Sequence, residues 1–257
     1  MKPDQFPIKK KLVYFIATIS TLMLFSGCSK CGLCKGDEWV SLFDGETLDG
    51  WMVKCLPKDV EKEYWKVVDG SITLEVPKGS DHKYIWLLTE KEYDNFELEL
   101  KVQSFADTKS NSGVQVRSRY DDAEGWLDGP QVDVHPSGGW RSGFIYDETR
   151  TVKEWLSPIQ GKPSVATIED AISGWNWKHG DEEDVWNYVR IVCVNTRIMT
   201  VVNGVTITDF DGSGVLDDAD HAKLNVGMNG HIGLQIHPGG EGKIRFKDLQ
   251  IKELKSK

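Results

Sequence analysis

The chain has 257 residues, of which 39% are hydrophobic and 28% charged, a composition typical of a folded globular protein and not of a disordered chain or a multi-span membrane protein. The 31 Lys and Arg are outnumbered by 40 Asp and Glu, and the formal net charge is -9. Nucleic-acid binders gain much of their affinity by neutralising phosphates, so this acidic chain is not expected to bind nucleic acid. The 10 Trp are unusually many, and flat aromatic side chains suit sugar-ring stacking.

The first residues have the pattern of a targeting segment. Lysines at 9–11 precede an apolar run over 12–27, which is short for a transmembrane helix and has the size of a signal-peptide core. Small residues then precede Cys28, as in the lipobox of bacterial lipoproteins, where the cysteine is lipidated. The sequence therefore predicts a signal peptide over 1–27 and a lipid-anchored protein of the cell envelope, periplasmic or in the outer membrane. A plain secretory signal and an uncleaved anchor are the alternatives.

The five cysteines do not point to a metal cluster. Cys28, Cys31 and Cys34 have a spacing that metal sites use, but no fourth ligand is nearby and Cys28 is the expected acylation site. We interpret 28–38 as a lipidated tether, in which Cys31 and Cys34 could form a disulfide outside the cytoplasm. Cys193 lies inside an apolar strand pattern and is expected in the core.

From Trp39 onward the hydrophobic period is two. Apolar residues at 96, 98, 100 and 102 alternate with polar ones, which predicts a half-buried strand, and Asn203-Gly204 predicts a two-residue hairpin turn. No helix is convincing, and 164–172 is at best one short helix. The pattern predicts an all-β sandwich or barrel forming a single domain over 39–257. Further strands are predicted at 189–194, 198–202, 231–237 and 243–254.

Three predicted strands carry amide, carboxylate, guanidinium and imidazole groups on the face opposite their apolar residues. An ordinary solvated face is the alternative, but such faces usually favour Lys, Glu and Thr. Planar, directional donors and acceptors are what a polyol-binding cleft needs, and we expect these side chains to share one. They are Gln115 and Arg117 on the first strand, Gln131, Asp133 and His135 on the second, and Gln235 and His237 on the third.

Seven stretches in one order resemble the 3-keto-disaccharide hydrolase domain family, which is frequent in lipoproteins of Bacteroidetes-type bacteria. The resemblance implies a concanavalin A-like jelly-roll β-sandwich of two antiparallel sheets with few or no helices, and a sugar site on the concave sheet. Many relatives carry Glu and then Gln at the positions of Gln131 and Asp133. The stretches are 39–51, NSGVQVR (111–117), GPQVDVH (129–135), SGFIY (142–146), WNY (186–188), VNG (202–204) and GHIGLQIH (230–237).

The family name implies a glycoside already oxidised at C3, whose C2 hydrogen is acidic. Loss of that proton and of the C1 substituent needs a base, a group that stabilises the enolate and an acid. Asp133 or His135 is the candidate base, Arg117 the oxyanion partner, and His237 the acid or a ligand of a possible divalent metal ion. The expected substrate-binding residues are Gln115, Gln131, Tyr146, Trp155, Trp177 and Gln235.

Each assignment has an alternative. Asp133 and Arg117 could form a cross-strand ion pair, and His237 could orient the following Pro-Gly-Gly turn. The acidic stretch 209–220 lacks EF-hand spacing and is expected to be a turn. Two functions of different classes therefore stay open, a hydrolase or lyase acting on 3-keto-glycosides and a non-catalytic carbohydrate-binding lipoprotein.

Overall fold

The computed structural model describes residues 38–105, 107–136, 141–158, 172, 174, 176–179 and 185–255. The predicted signal peptide, Cys28 and most of the predicted tether lie outside these residues, as does almost all of the short helix considered at 164–172. Within the described ranges, no helix is long and apolar enough to cross a membrane.

Two antiparallel sheets of eight strands each form the body of the protein. The first sheet has the order β14 (Val205–Asp211), β13 (Arg197–Val202), β12 (Asn187–Val194), β6 (Phe96–Ser104), β16 (Gly242–Glu253), β4 (Ser71–Val76) and β3 (Trp65–Val68), with β1 (Val40–Ser41) paired to β16. The second sheet has the order β11 (Glu154–Ser157), β10 (Ile145–Asp147), β9 (Pro130–Val134), β7 (Ser112–Asp121), β15 (His231–Ile236), β5 (Ile85–Thr89) and β2 (Trp51–Cys55), with β8 (Trp126–Asp128) paired to β7.

The hydrophobic core lies between the sheets because each strand turns alternate residues inward. In β6 the apolar residues Phe96, Leu98 and Leu100 are buried and Glu97 and Glu99 are half-buried, which confirms the predicted alternation. From the second sheet, apolar residues of β7, β9 and β15 complete the same core. The other face of the second sheet is consequently free to carry polar side chains.

The predicted hairpin is confirmed between β13 and β14. Asn203 and Gly204 have φ angles of 49° and 82°, the left-handed values that a type I′ turn requires at both central positions. The other strands predicted from periodicity correspond to β12, β13, β15 and β16. Cys193 is buried within β12 and packs in the core as expected.

One α-helix, α1 (Ala219–Leu224), and a 3₁₀ turn at Pro57–Asp59 accompany the strands in the described ranges. The periodicity analysis missed α1 because six residues are too few for a helical pattern. It begins at the end of the acidic stretch 209–220, whose carboxylates mostly fix turns. Asp218 caps α1, while Asp211 and Asp217 accept hydrogen bonds from the backbone of Ser213 and Gly214.

Candidate functional site

A cavity of about 300 Å³ opens on the outer face of the second sheet. Its volume is at the lower end of the range of small-molecule sites. Strands β8, β9, β10 and β11 contribute side chains to it, together with segments that precede or follow the strands. The lining residues are Tyr84, Asn111, Trp126, Gln131, Asp133, Arg141, Tyr146, Glu148, Lys153, Trp155 and His237.

Strand β9 forms the floor because its alternation places two polar residues outward. Gln131 and Asp133 line the cavity, whereas Val132 and Val134 are in the core. Gly113, opposite Asp133 on β7, makes room for this arrangement. A Cβ atom at Gly113 would lie 2.2 Å from Cδ of Gln131, so Gln131 can lie flat across β7 only while residue 113 has no side chain.

Two buried carboxyl groups, on Asp133 and Glu148, face the cavity. Asp133 is 1% exposed, and Glu148 is 6% exposed. Burial raises the pKa of Asp133 to about 7, opposed by the charge of Arg141 and reinforced by Glu148. Burial also raises the pKa of Glu148 to about 7, against a hydrogen bond from Gln235. Two interacting carboxyls with pKa values near neutrality exchange protons readily at physiological pH.

Arg141 and two aromatic residues form one wall. The Arg141 Nε lies 3.3 Å from the Asp133 Oδ2, and its guanidinium carbon lies 5.2 Å from the centre of the Trp155 ring. Trp155 meets Tyr146 edge to face, with 5.0 Å between ring centres, because β11 pairs with β10 at these residues. This wall combines a fixed positive charge with flat apolar surface.

The opposite wall is a stack of aromatic side chains. Tyr84 stacks on Trp86 and meets Trp126 edge to face, with 5.2 and 4.9 Å between ring centres. The Trp126 Nε1 donates to the backbone oxygen of Glu148 at 2.7 Å, which connects this wall to the residue that carries the second carboxyl. The Tyr84 hydroxyl is 3.1 Å from the His237 Nε2. His237 Nδ1 is 2.9 Å from the backbone oxygen of Pro238, and burial lowers its pKa, so the ring is neutral and accepts from Tyr84.

Three amide oxygens at this site are buried and have no hydrogen-bond partner among the described residues. They are the side-chain oxygens of Asn111, Gln131 and Gln235. Asn111 and Gln131 line the cavity, and Gln235 lies beside Glu148, with 3.5 Å between its Nε2 and the Glu148 Oε1. Buried acceptors without partners are costly, and sugar hydroxyls are donors that would satisfy them.

Arg117 does not join this site, which corrects the sequence expectation. Its φ is 51°, and a bulge in β7 shifts the pairing with β15 between His231 and Gly233. The bulge reverses the alternation, and the guanidinium is buried among four oxygens at the end of the sandwich. Those oxygens are the backbone oxygens of Asp94, Asn195 and Gly227 and the Asn95 Oδ1.

Three other predicted residues are also placed differently. Gln115 is fully buried, accepts from Trp86 Nε1 at 2.6 Å and donates to the Leu127 oxygen, so it supports the aromatic wall from below. Trp177 donates to Ser104 on β6 of the first sheet, away from the cavity. His135 does not line the cavity, and burial, Arg141 and His237 lower its pKa to about 4, which makes it a poor base.

The structure brings together Gln131, Asp133, Tyr146, Trp155 and His237 as predicted, and it adds residues that the sequence analysis missed. Glu148 had a usable signal, because it follows Tyr146 by two residues and an extended chain places both on one face. No sequence signal was available for Arg141, Tyr84 and Trp126, because the segments that carry them come together only in the folded sheet. Gln235, a predicted substrate-binding residue, does not line the cavity, and its Nε2 lies 3.5 Å from the Glu148 Oε1.

The possible divalent metal ion, for which His237 is a candidate ligand, finds no ready site in the described part of the chain. There, no three side chains of His, Cys, Asp or Glu are grouped so that they could hold a metal ion. His237, the candidate ligand, already uses both ring nitrogens on Tyr84 and Pro238. We therefore derive no step through a metal.

Residues 38–252 match the family described as the 3-keto-alpha-glucoside-1,2-lyase-like domain. The chain belongs to this family. The match confirms the resemblance that the sequence motifs carried, and it covers the cavity and both of its walls. No match was found among curated proteins.

Solved structures with low sequence identity share the fold. A putative glycosyl hydrolase from Parabacteroides distasonis ATCC 8503 is 18% identical with a TM-score of 0.56, over 85% of this chain and 95% of that one. A second from the same organism is 23% identical with a TM-score of 0.51, over 84% and 100%.

A Bacillus subtilis protein of unknown function with a galectin-like fold is 11% identical with a TM-score of 0.52, over 82% of this chain and 92% of that one. These likenesses confirm the predicted lectin-like sandwich. The family description concerns carbohydrate chemistry, so membership indicates a glycosyl hydrolase-like or carbohydrate-binding function.

Proposed function

We propose that the protein is an enzyme that acts on 3-keto-glycosides by removing the C2 proton and releasing the C1 substituent. The observation that carries the proposal is the pair of buried carboxyls, Asp133 and Glu148, with pKa values near 7 in one small cavity with aromatic walls. The family description names a lyase reaction at positions 1 and 2 of such a glucoside, which fits a site built for proton transfer.

Asp133 is assigned as the base and Glu148 as the acid. The charge of Arg141 is the largest influence that favours the ionised form of Asp133. For Glu148 that influence is a 3.5 Å hydrogen bond from Gln235, followed by the charge of Lys153. Asp133 takes the C2 proton, and the electron pair passes to the C3 oxygen as an enolate. Collapse of the enolate forms the C1–C2 double bond and breaks the C1–O bond, and the leaving oxygen takes the Glu148 proton.

Release of the alcohol leaves an enone, to which one water can add across C1 and C2 to give the free 3-keto sugar. Addition returns a proton to C2 and a hydroxyl to C1, so the two steps together amount to hydrolysis. The Arg141 guanidinium supplies positive charge for the enolate, in the role first expected of Arg117. Trp155 and Tyr146 offer surfaces for the sugar ring, and the amide oxygens of Asn111 and Gln131 accept its hydroxyls.

Incubation with 4-nitrophenyl 3-keto-β-glucoside and its α anomer tests the proposal. We expect nitrophenolate release from at least one anomer at neutral pH, and the same rate with and without EDTA. The unoxidised 4-nitrophenyl glucosides are the matched controls and should not react, because their C2 hydrogen is not acidic. Calorimetric binding of the keto-glycoside without any release would contradict the enzyme and favour the carbohydrate-binding lipoprotein.

The lipid anchor in the cell envelope remains a prediction from the first 28 residues. Mass spectrometry of the mature N-terminus after expression in a diderm host should find diacylglycerol on Cys28. Substitution Cys28→Ala should release the protein from the membrane fraction, while Cys31→Ala, three residues away, should leave it attached. An unmodified Cys28 would overturn the anchor and leave the proposed chemistry unaffected.

A further inference from the structure

His221 lies outside the cavity but contacts both neighbours of Glu148. Its Nε2 is 2.9 Å from the Asp147 Oδ2 and 3.3 Å from the Thr149 Oγ1. Its Nδ1 is 2.9 Å from the Oδ1 of Asp218, the residue that caps α1. The imidazole is fully buried, and its contacts with Asp147 and Thr149 are shielded from solvent, whereas the Asp218 side chain is partly exposed.

The contacts of 147–149 fix the direction of the Glu148 side chain. In an extended chain, alternate residues point to opposite sides, so Asp147 and Thr149 held on one side leave Glu148 on the other. A second Asp147 oxygen accepts from the Thr149 backbone at 2.9 Å, which tightens the segment further. Beyond it, Arg150 donates from its backbone and guanidinium to Asp128, so the chain is anchored on both sides of Glu148.

The contact between His221 and Asp147 also determines the electrostatic environment of Glu148. Burial opposes a charge on His221, but hydrogen bonds to Asp147 and Asp218 outweigh it and raise the pKa of His221 to about 9. Asp147, on β10, and Asp218, before α1, are the charged groups that face the ring. The negative charge of Asp147 raises the pKa of Glu148, and a protonated His221 compensates that charge.

We propose that His221 is a positioning residue, which holds Glu148 in the cavity through Asp147 and Thr149 and shields it from the charge of Asp147. The inference rests on the proposed role of Glu148 as the acid. Through His221, α1 would influence the reaction although it contributes no lining residue to the cavity.

Kinetics of His221→Gln and Asp147→Asn across pH 5–10 test the inference. Each variant should lower kcat about 10- to 100-fold with little change in KM, since small displacements of a catalytic group are costly. The alkaline limb of kcat should move in opposite directions. His221→Gln leaves Asp147 uncompensated and moves it to higher pH, whereas Asp147→Asn removes the negative charge and moves it to lower pH.

Arg245→Gln is the matched control, because Arg245 is a buried, hydrogen-bonded cation on the first sheet, remote from the cavity. It should lower the Tm without moving the pH profile of the folded enzyme. If His221→Gln lowers the Tm in the same way and leaves kcat and the alkaline limb unchanged, the inference is wrong. Should that variant fail to fold, Thr149→Val removes one hydroxyl contact and should still lower kcat.

A readout without turnover separates this inference from the proposed function. In protein labelled with ¹³C at the Glu carboxyl, the Glu148 resonance is assigned by its loss in Glu148→Gln. Its titration midpoint should rise in His221→Gln and fall in Asp147→Asn even if no keto-glycoside reacts. Unchanged midpoints in both variants would overturn the coupling, whatever the activity.

Discussion

Two of the places where this protein buries charged side chains differ in how those charges are satisfied. At the end of the sandwich, the guanidinium of Arg117 donates to four oxygens, all from carbonyl groups. On the outer face of the second sheet, Asp133 and Glu148 are equally hidden, but they repel each other and their hydrogen-bond partners are few.

The difference separates structure from chemistry. A buried guanidinium that uses four of its five N–H groups on the protein stabilises one arrangement of the chain and has little capacity left for a ligand. A buried carboxyl pair whose pKa values are raised toward 7 costs stability, and such sites are where proton transfer is expected. The sequence analysis placed Arg117 and Asp133 in one site, whereas the structure places only Asp133 at the cavity.

The largest expected effect is on catalysis at the carboxyl pair. Glu148→Gln and Asp133→Asn should each lower kcat/KM about 10²- to 10⁴-fold, because each removes a proton donor or acceptor without changing shape. Steady-state rates with the keto-glycoside measure this. Glu75→Gln, an exposed carboxyl on the first sheet, is the control and should retain full activity. Activity that survives both cavity substitutions would remove the chemistry from this pair.

The next effect is on stability at Arg117. Arg117→Met should lower the free energy of unfolding by about 3–5 kcal/mol, because four oxygens, two of them in fully buried hydrogen bonds, lose their donor. Urea denaturation measures this, and kcat of the molecules that remain folded should be unchanged. A variant with normal stability and no activity would show instead that Arg117 acts in the reaction, and the comparison would fail.

Much of this arrangement could be predicted from sequence because it follows from alternation. The period of two placed Gln131 and Asp133 on one face, and Asn203-Gly204 fixed a hairpin. The direction of the Arg117 side chain could not be predicted, because a bulge turns it to the other face of β7 and no residue type in the sequence indicates the bulge. The helix α1 was missed because six residues are too few for a helical pattern, and the contacts of His221 with 147–149 could not be predicted because they join segments far apart in the chain.

A smaller effect is expected where Gly113 makes room for Gln131. Gly113→Ala would bring its Cβ within 2.2 Å of Gln131, so Gln131 must move and KM should rise about 10-fold, the effect of losing roughly one hydrogen bond. Gly233→Ala is the matched control on the same face. Its Cβ would crowd the methyls of Leu88 and Leu127 at 2.6 and 3.1 Å and make an ordinary contact with the Gln115 Cβ at 3.8 Å, so it should lower the Tm and leave KM unchanged. Equal KM values for both variants would argue against a sugar contact at Gln131.

The smallest effect is the pH dependence of stability. Burial raises the pKa of Asp133 from its ordinary 3.8 to about 7, so protonation of Asp133 stabilises the fold, and that contribution is lost as pH rises from 3.8 through about 7. The Tm of Asp133→Asn minus the Tm of the natural protein should therefore increase by a few degrees from pH 5 to pH 8. Thermal melts measure the gap. A Tm difference that stays constant with pH would mean that burial does not raise the pKa of Asp133.

The central claim is that this cavity removes the C2 proton, and product formed in D₂O tests it directly. Elimination followed by addition of water places a solvent deuteron at C2, whereas direct displacement at C1 retains the original hydrogen. We predict by ¹H NMR that the released 3-keto sugar loses its C2 proton signal at the rate of leaving-group release, well above the exchange seen with Asp133→Asn. Release with full retention of the C2 hydrogen would contradict the account.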